Sequence, residues 1–157
     1  AEIIPGLELY GCYTREEVFT LVGRQTAEVK MQGTASGAFN LPEHNAVLLF
    51  VTLNKSEKDF SPSTQYNDYL INDEYFHWQS KNTDSHYNSG GRKYVEQPKT
   101  GIKIILFVRE EKKDGFGNTS PFHCFGLVDY VSSHDDFPMN VKWKLQKPAM
   151  AQYLKAI

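Results

Sequence analysis

The sequence predicts an α+β fold: a mixed, mainly antiparallel β-sheet that is strongly bent or barrel-like, with a short N-terminal helix and a C-terminal helix. Three observations predict it. Runs of β-branched and large apolar residues recur, such as AVLLFVTL over residues 46–53 and IKIILFV over 102–108. Helical signals are confined to the two ends. The regular strand–helix alternation of a doubly wound fold is missing, which argues against a dinucleotide-binding architecture.

Each element has its own warrant. Thr14-Arg15-Glu16-Glu17 fits a capping box, with Thr14 as N-cap and Glu17 three residues on. Val18, Phe19, Leu21 and Val22 follow, and Gly23 can close the helix. Residues 46–53 and 102–108 read as strands, and 122–131 is a third. A fourth spans 139–145, where Val141, Trp143 and Leu145 alternate with Asn140, Lys142 and Lys144. Lys113-Asp114-Gly115 reads as a hairpin turn between two strands. The tail AMAQYLKAI after Pro148 has helical composition.

At 157 residues the chain is expected to form a single domain over 1–157. That length buries roughly 70% of the unfolded surface, so no metal or disulfide staple is required. Cys12 and Cys124 are the only cysteines and are expected to be buried free thiols. No apolar run reaches membrane-spanning length, and the start AEIIPGLELYG lacks the charged and apolar regions of a secretion signal. A cytoplasmic location is expected, and the abrupt first residue suggests a piece of a larger polypeptide. Nineteen acidic against seventeen basic residues give a formal charge of −2, a balance that weighs against any nucleic-acid reading, because an isolated DNA-binding domain is usually basic. Charge placement matters more than the total.

Residues 54–82, NKSEKDFSPSTQYNDYLINDEYFHWQSKN, carry the strongest functional signal. Phe60, Tyr66, Tyr69, Tyr75, Phe76 and Trp78 stand among amides and hydroxyls. Such a mixture suits a flat polar ligand, with rings to stack on it and polar groups to test its edge. Read as a strand, Phe76-His77-Trp78-Gln79-Ser80 sends Phe76, Trp78 and Ser80 to one face and Tyr75, His77 and Gln79 to the other. Trp78 is then either the wall of a pocket or the floor beneath it. Gln79 can match an adenine edge, and His77 or Asn82 can bond a base or phosphate. The other reading of His77 and Gln79 is a solvated strand face. Around Phe60, Ser63, Thr64 and Tyr66 the Pro and hydroxyls suggest a loop or helix start that either caps a helix or contacts phosphate.

Lys55, Lys58, Arg92, Lys93, Arg109, Lys112 and Lys113 are the cations nearest these segments and would form a phosphate track if the fold brings several onto one face. HYNSGGR, ending at Arg92, reads as a mobile glycine-rich loop. Neither GxGxxG nor Walker spacing is present, so no cofactor is expected. His44, His77, His86, His123 and His134 lack ligand spacing, and His123 and Cys124 would face opposite ways, so no metal site is expected. Glu111-x-Lys113 after a strong strand, with Asp68 or Asp73 as a distant acid, is the pattern of a metal-dependent PD-(D/E)xK nuclease. It lacks the upstream Pro-Asp. Cys124 between Phe122 and Phe125 reads as buried rather than nucleophilic.

The strings FVTLNKSEKDFSPSTQYNDYLI, FHWQSKN, ILFVREEKKDGFG and PMNVKWKL, in this order from about Leu9 to Leu145, resemble a domain-of-unknown-function family. That family forms the C-terminal part of bacterial helicase–nuclease restriction proteins, the SauUSI-type modification-dependent enzymes among them. The resemblance implies an SRA/PUA-like or B3-like pseudo-barrel and a target-recognition role on double-stranded DNA carrying 5-methyl or 5-hydroxymethylcytosine. It implies the helicase and nuclease domains of the parent protein as partners, with no catalytic residue in this domain. A module that couples helicase to nuclease without touching DNA is the alternative.

Overall fold

The computed structural model describes residues 2–23, 37–54, 68–113 and 115–154. Its strands are β1 (Glu2–Ile4), β2 (Leu7–Glu8), β3 (Cys12–Tyr13), β4 (Ala38–Leu41), β5 (Ala46–Asn54), β6 (Tyr69–Leu70), β7 (Tyr75–Gln79), β8 (Lys103–Glu111), β9 (Phe122–His134) and β10 (Asn140–Leu145). Its helices are α1 (Arg15–Leu21), α2 (Ser89–Val95), α3 (Gln97–Thr100) and α4 (Ala151–Leu154). Besides a small β1–β2 hairpin, one sheet of eight strands follows the order β4-β5-β8-β9-β10-β7-β6, with β3 on β9. The fold is α+β and mainly strands. β5 and β8 are parallel, and the other pairs in this sheet are antiparallel.

No closed barrel forms among the described residues, which corrects the pseudo-barrel expectation at its finer level. The path ends at β4 and β6 without pairing them.

The parallel pair explains the two continuous apolar runs. Strands buried on both faces need no polar alternation. Val47, Leu49, Val51, Ile104, Leu106 and Val108 enter one core, together with Phe76, Trp78, Val141, Trp143, Tyr94 and Tyr153. Ala46, Leu48, Phe50, Ile105 and Phe107 enter the other, covered by Val18 and Phe19 of α1 and by Ile4 and Leu7. In β7 and β10 the period-2 pattern holds: Phe76, Trp78, Val141, Trp143 and Leu145 are buried while their neighbours are not. The indole N–H of Trp143 is buried with no acceptor among the described residues, which costs about 1–3 kcal/mol against a paired N–H.

The capping box is present as read: Glu17 N donates to Thr14 Oγ1 at 3.1 Å and Thr14 N to Glu17 Oε1 at 3.0 Å. Such a cap contributes about 1 kcal/mol. β9 follows β8 antiparallel, with a Lys113–Thr119 bridge where the hairpin was expected, and Asp114 lies outside the described residues. β9 slips register between its pairs Leu106–Gly126 and Phe107–Cys124, leaving Phe125 as a bulge. Gly126 sits there at φ +83°, where a Cβ would also stand 2.9 Å from Leu9 Cδ1, so the position demands glycine.

HYNSGGR is not a mobile loop. Asn88 caps α2, accepting from Gly91 N at 3.1 Å. Gly91 is buried, and a Cβ on it would collide with the Ser85 carbonyl oxygen and Met139 Sδ. The glycine there permits close packing rather than freedom. α3 carries Pro98 in its first turn, where the missing N–H costs nothing. Gln97 pins it to β9, accepting from Tyr130 N at 2.9 Å. No helix among the described residues is long and apolar enough to cross a membrane.

Candidate nucleic-acid interface

Strand alternation in β7 raises the site. Its outward side chains stand in register with those of β6 and β10: Tyr69 opposite His77, His77 opposite Lys142, Gln79 opposite Asn140, and Tyr75 opposite Lys144. Directly opposite side chains on one face are close enough to interact. Tyr69 and His77 rings stack at 4.6 Å with 16° between planes, and Tyr69 is 45% exposed. Asn140 Oδ1 lies 3.1 Å from His77 Nε2 and accepts from Gln79 Nε2, also at 3.1 Å. An amide oxygen only accepts, so His77 carries its proton on Nε2. Asn140 Nδ2 donates to Asp135 Oδ2 at 3.3 Å. Lys142 Nζ stands 4.6 Å from the Tyr75 ring centroid, and Lys144 is exposed. Buried Asp68 accepts from Gln79 N at 2.8 Å, holding the end of β7.

The result is a stacked aromatic pair, two joined amides and two lysines on one accessible face. His77 and Gln79 therefore stand together, as strand alternation requires. Trp78 lies under this face at 4% exposure, with its ring 5.0 Å from Tyr94 and 6.3 Å from Trp143. It is floor and core, not a pocket wall. Ser80 is fully buried, accepting from Met139 N at 2.9 Å and donating to Lys81 O, so it is closed to a ligand as the side chains stand. Asn82 is exposed just beyond the strand. Lys55, Lys58, Phe60, Ser63, Thr64 and Tyr66 lie outside the described residues.

The described cations of the predicted track are elsewhere: Arg92 and Lys93 on α2, and Arg109, Lys112 and Lys113 at the end of β8. Arg92 is in an i,i+4 ion pair with Glu96 at 2.7 Å, which corrects its reading as a loop charge. At the end of β8 a cleft of about 350 Å³ is lined by Arg109, Glu110, Glu111, Lys113, Ser120, His123 and Tyr153, among others. Tyr153 OH donates to Val108 O at 3.1 Å and lies 2.7 Å from His123 Nδ1, so Nδ1 carries the imidazole proton. Burial pushes the His123 pKa down, against a smaller upward pull from Glu110. Burial and Arg15 together push Arg109 down to about 10. β9 joins the two places: His123 is beside the cleft and His134 is opposite Asn140, eleven residues on, up to about 36 Å along extended chain.

Glu111 and Asp68 are separated by the sheet, on β8 and just before β6 with β9, β10 and β7 between. Among the described residues no group of three His, Cys, Asp or Glu side chains is placed to hold a metal. Cys124 is buried and its thiol is pushed up to about 11 by burial. Cys12 is exposed, contrary to expectation, because the two-residue β3 leaves it at the sheet margin. Asn140, Lys142 and Lys144 join this candidate face without having been singled out in the sequence, whereas Tyr69 was named only among the aromatics of residues 54–82. The polar phase of β10 was visible, but its register against β7 was not.

At the far end of β9, His86 joins two loops. Its Nδ1 and backbone N lie 2.7 and 2.8 Å from Asp136 Oδ1, and its Nε2 lies 2.6 Å from Ser133 Oγ. Phe137 N donates to Asp84 O at 2.9 Å. Tyr87 and Phe137, 85% and 62% exposed, project from these joined loops.

No curated protein matches the chain significantly. A family model does, over residues 7–156, nearly the whole sequence. The chain belongs to the family described as domain of unknown function DUF3427.

Proposed function

We propose that this domain binds DNA as the target-recognition part of a bacterial cytoplasmic helicase–nuclease of the restriction type, reading 5-methyl or 5-hydroxymethylcytosine in duplex DNA and catalysing nothing itself. The observation that carries the reading is the ordered polar face of β6, β7 and β10. Gln79 and Asn140 hold fixed amides for base edges, Tyr69 and His77 offer a stacking surface, and Lys142 and Lys144 supply phosphate contacts. Preorganisation matters because a 5-methyl group contributes only ~0.8 kcal/mol by transfer. Discrimination must come from shape held rigid around it. The helicase and nuclease domains of the parent protein would supply movement and cleavage.

The test is binding to plain, methylated and hydroxymethylated duplexes at two salt concentrations. Tighter binding to a modified duplex that weakens with salt is the expected result. No binding to any duplex at low salt would sink the reading.

A second reading has its own observation. Exposed Tyr87 and Phe137 sit beside Asp135 and Asp136, a combination that suits a protein partner better than a phosphate backbone. A module coupling helicase to nuclease would use that tip. Loss of coupling on Tyr87→Ser with DNA binding intact would favour it.

A further inference from the structure

Arg109 is 6% exposed, and each partner it has is neutral. Its Nε donates to Thr52 Oγ1 at 2.8 Å and Nη1 to Ser120 O at 3.0 Å. Its guanidinium carbon stands 4.3 Å from the Phe122 ring centroid. No carboxylate among the described residues pairs with it. A second cation, Arg15, stands 5.4 Å from the same ring centroid. A buried charge without a counter-ion is costly, and an anion reaching it would offset that cost. Arg109 also lines the cleft of about 350 Å³, and among the described residues its second Nη has no acceptor yet is not sealed from solvent.

The rim narrows the ligand. Lys113 adds an exposed cation, whereas Glu110 and Glu111 are exposed acceptors. A bare anion meets repulsion at those carboxylates. A phosphate carried on a group with N–H or O–H donors does not, because the donors meet the carboxylates while the phosphate reaches the guanidinium. The planar fork of arginine fits phosphate oxygens in pairs.

We infer that the cleft between the end of β8 and the start of β9 binds the phosphate of a nucleotide unit, with Arg109 as its buried anchor and Lys113 as its outer charge. For a DNA source of that phosphate the inference rests on the DNA-binding reading; for the phosphate chemistry it does not. The site is separate from the β7–β10 face, so a strand bound there would be gripped at both ends of β9.

The experiment follows the Arg Nε–H resonances of the isotope-labelled domain during titration with inorganic phosphate, deoxycytidine monophosphate and a short duplex. The expected result is a saturable shift of the Arg109 resonance with the nucleotide at millimolar concentration, weaker with phosphate. Arg109→Lys should lower nucleotide affinity about tenfold and Lys113→Ala severalfold. Should Arg109→Lys fail to fold, the wild-type resonance and Lys113→Ala still decide. A duplex that shifts the same resonance identifies nucleic acid as the source. Nucleotide binding with no duplex binding leaves the site standing and removes the DNA reading. An Arg109 resonance unmoved by nucleotide and phosphate overturns the site, even where the duplex binds through the β7–β10 face.

Discussion

The β7–β10 face and the Arg109 cleft use polar groups in opposite ways. On the face, Gln79 and His77 both donate to Asn140 Oδ1 and Asn140 donates to Asp135, above a core of Trp78 and Trp143. Charge there, on Lys142, Lys144 and Asp135, is at the protein surface. In the cleft a guanidinium is drawn into the protein beside a second cation and given neutral acceptors. A satisfied network holds its shape without a ligand, and an uncompensated buried charge is relieved by one. The face is thus suited to discrimination and the cleft to grip.

The largest effect should separate the face from the core beneath it. Trp78→Ala removes a buried ring packed on Tyr94 and Trp143, and should cost about 3–5 kcal/mol of stability in urea unfolding. His77→Ala, one residue away, should cost under about 1 kcal/mol. Equal losses at both positions would mean that the face is core and not a binding surface.

Strand alternation made this division legible in advance. The apolar phase of β7 and β10 located the core, and the run of amides and aromatics located His77 and Gln79. Two things were hidden. Register decides which side chains from distant strands stand opposite, and no local pattern places Asn140 beside Gln79. Burial of Arg109 was hidden too, since a lone arginine at a strand end looks like any surface cation. Gly90-Gly91 misled for a related reason: glycine signals freedom or close approach, and only the packing against Ser85 and Met139 decides which.

Next in size is binding. Gln79→Ala and Asn140→Ala should each weaken duplex affinity by about 1–3 kcal/mol and reduce the preference for the modified base. Lys142→Gln with Lys144→Gln should weaken all duplexes alike and lower the salt slope by about 0.9 for each phosphate no longer neutralised. An equal drop in preference in the lysine variant would place base reading elsewhere. Titration of affinity against salt, by fluorescence anisotropy, checks both.

The cleft has a pH signature of its own. Arg109 is a base whose folded pKa is lowered, to about 10, by burial first and Arg15 second. The charged form is therefore disfavoured in the folded state, and the resulting destabilisation is present at neutral pH. It is relieved as pH rises from about 10 toward the ordinary value of 12.5. The difference in stability between wild type and Arg109→Leu should shift in favour of wild type over that range. Bound nucleotide should remove the shift, because an anion raises the pKa again. A difference that stays flat with pH, with and without nucleotide, would mean that the guanidinium is solvated and needs no anion.

The smallest effect lies at the His86–Asp136 joint, close to the face and remote from the cleft. Hydrogen bonds from the His86 ring and backbone hold the Asp136 carboxyl below its ordinary value of 3.8. A depressed acid stabilises the fold above its unfolded value and loses that contribution as pH falls through the folded one. The joint should thus be intact at pH 5 to 7 and should open only below about pH 4, freeing the Phe137 loop from Asp84 and His86. Amide hydrogen exchange at Phe137 and His86 measures the opening directly. Asp136→Asn removes the charge but keeps an acceptor, so it should abolish the acid-dependent step while leaving Arg109 and its pH response untouched. Coupled changes at both sites would show that β9 transmits strain past the Gly126 bulge, and the two regions would then have to be treated as one.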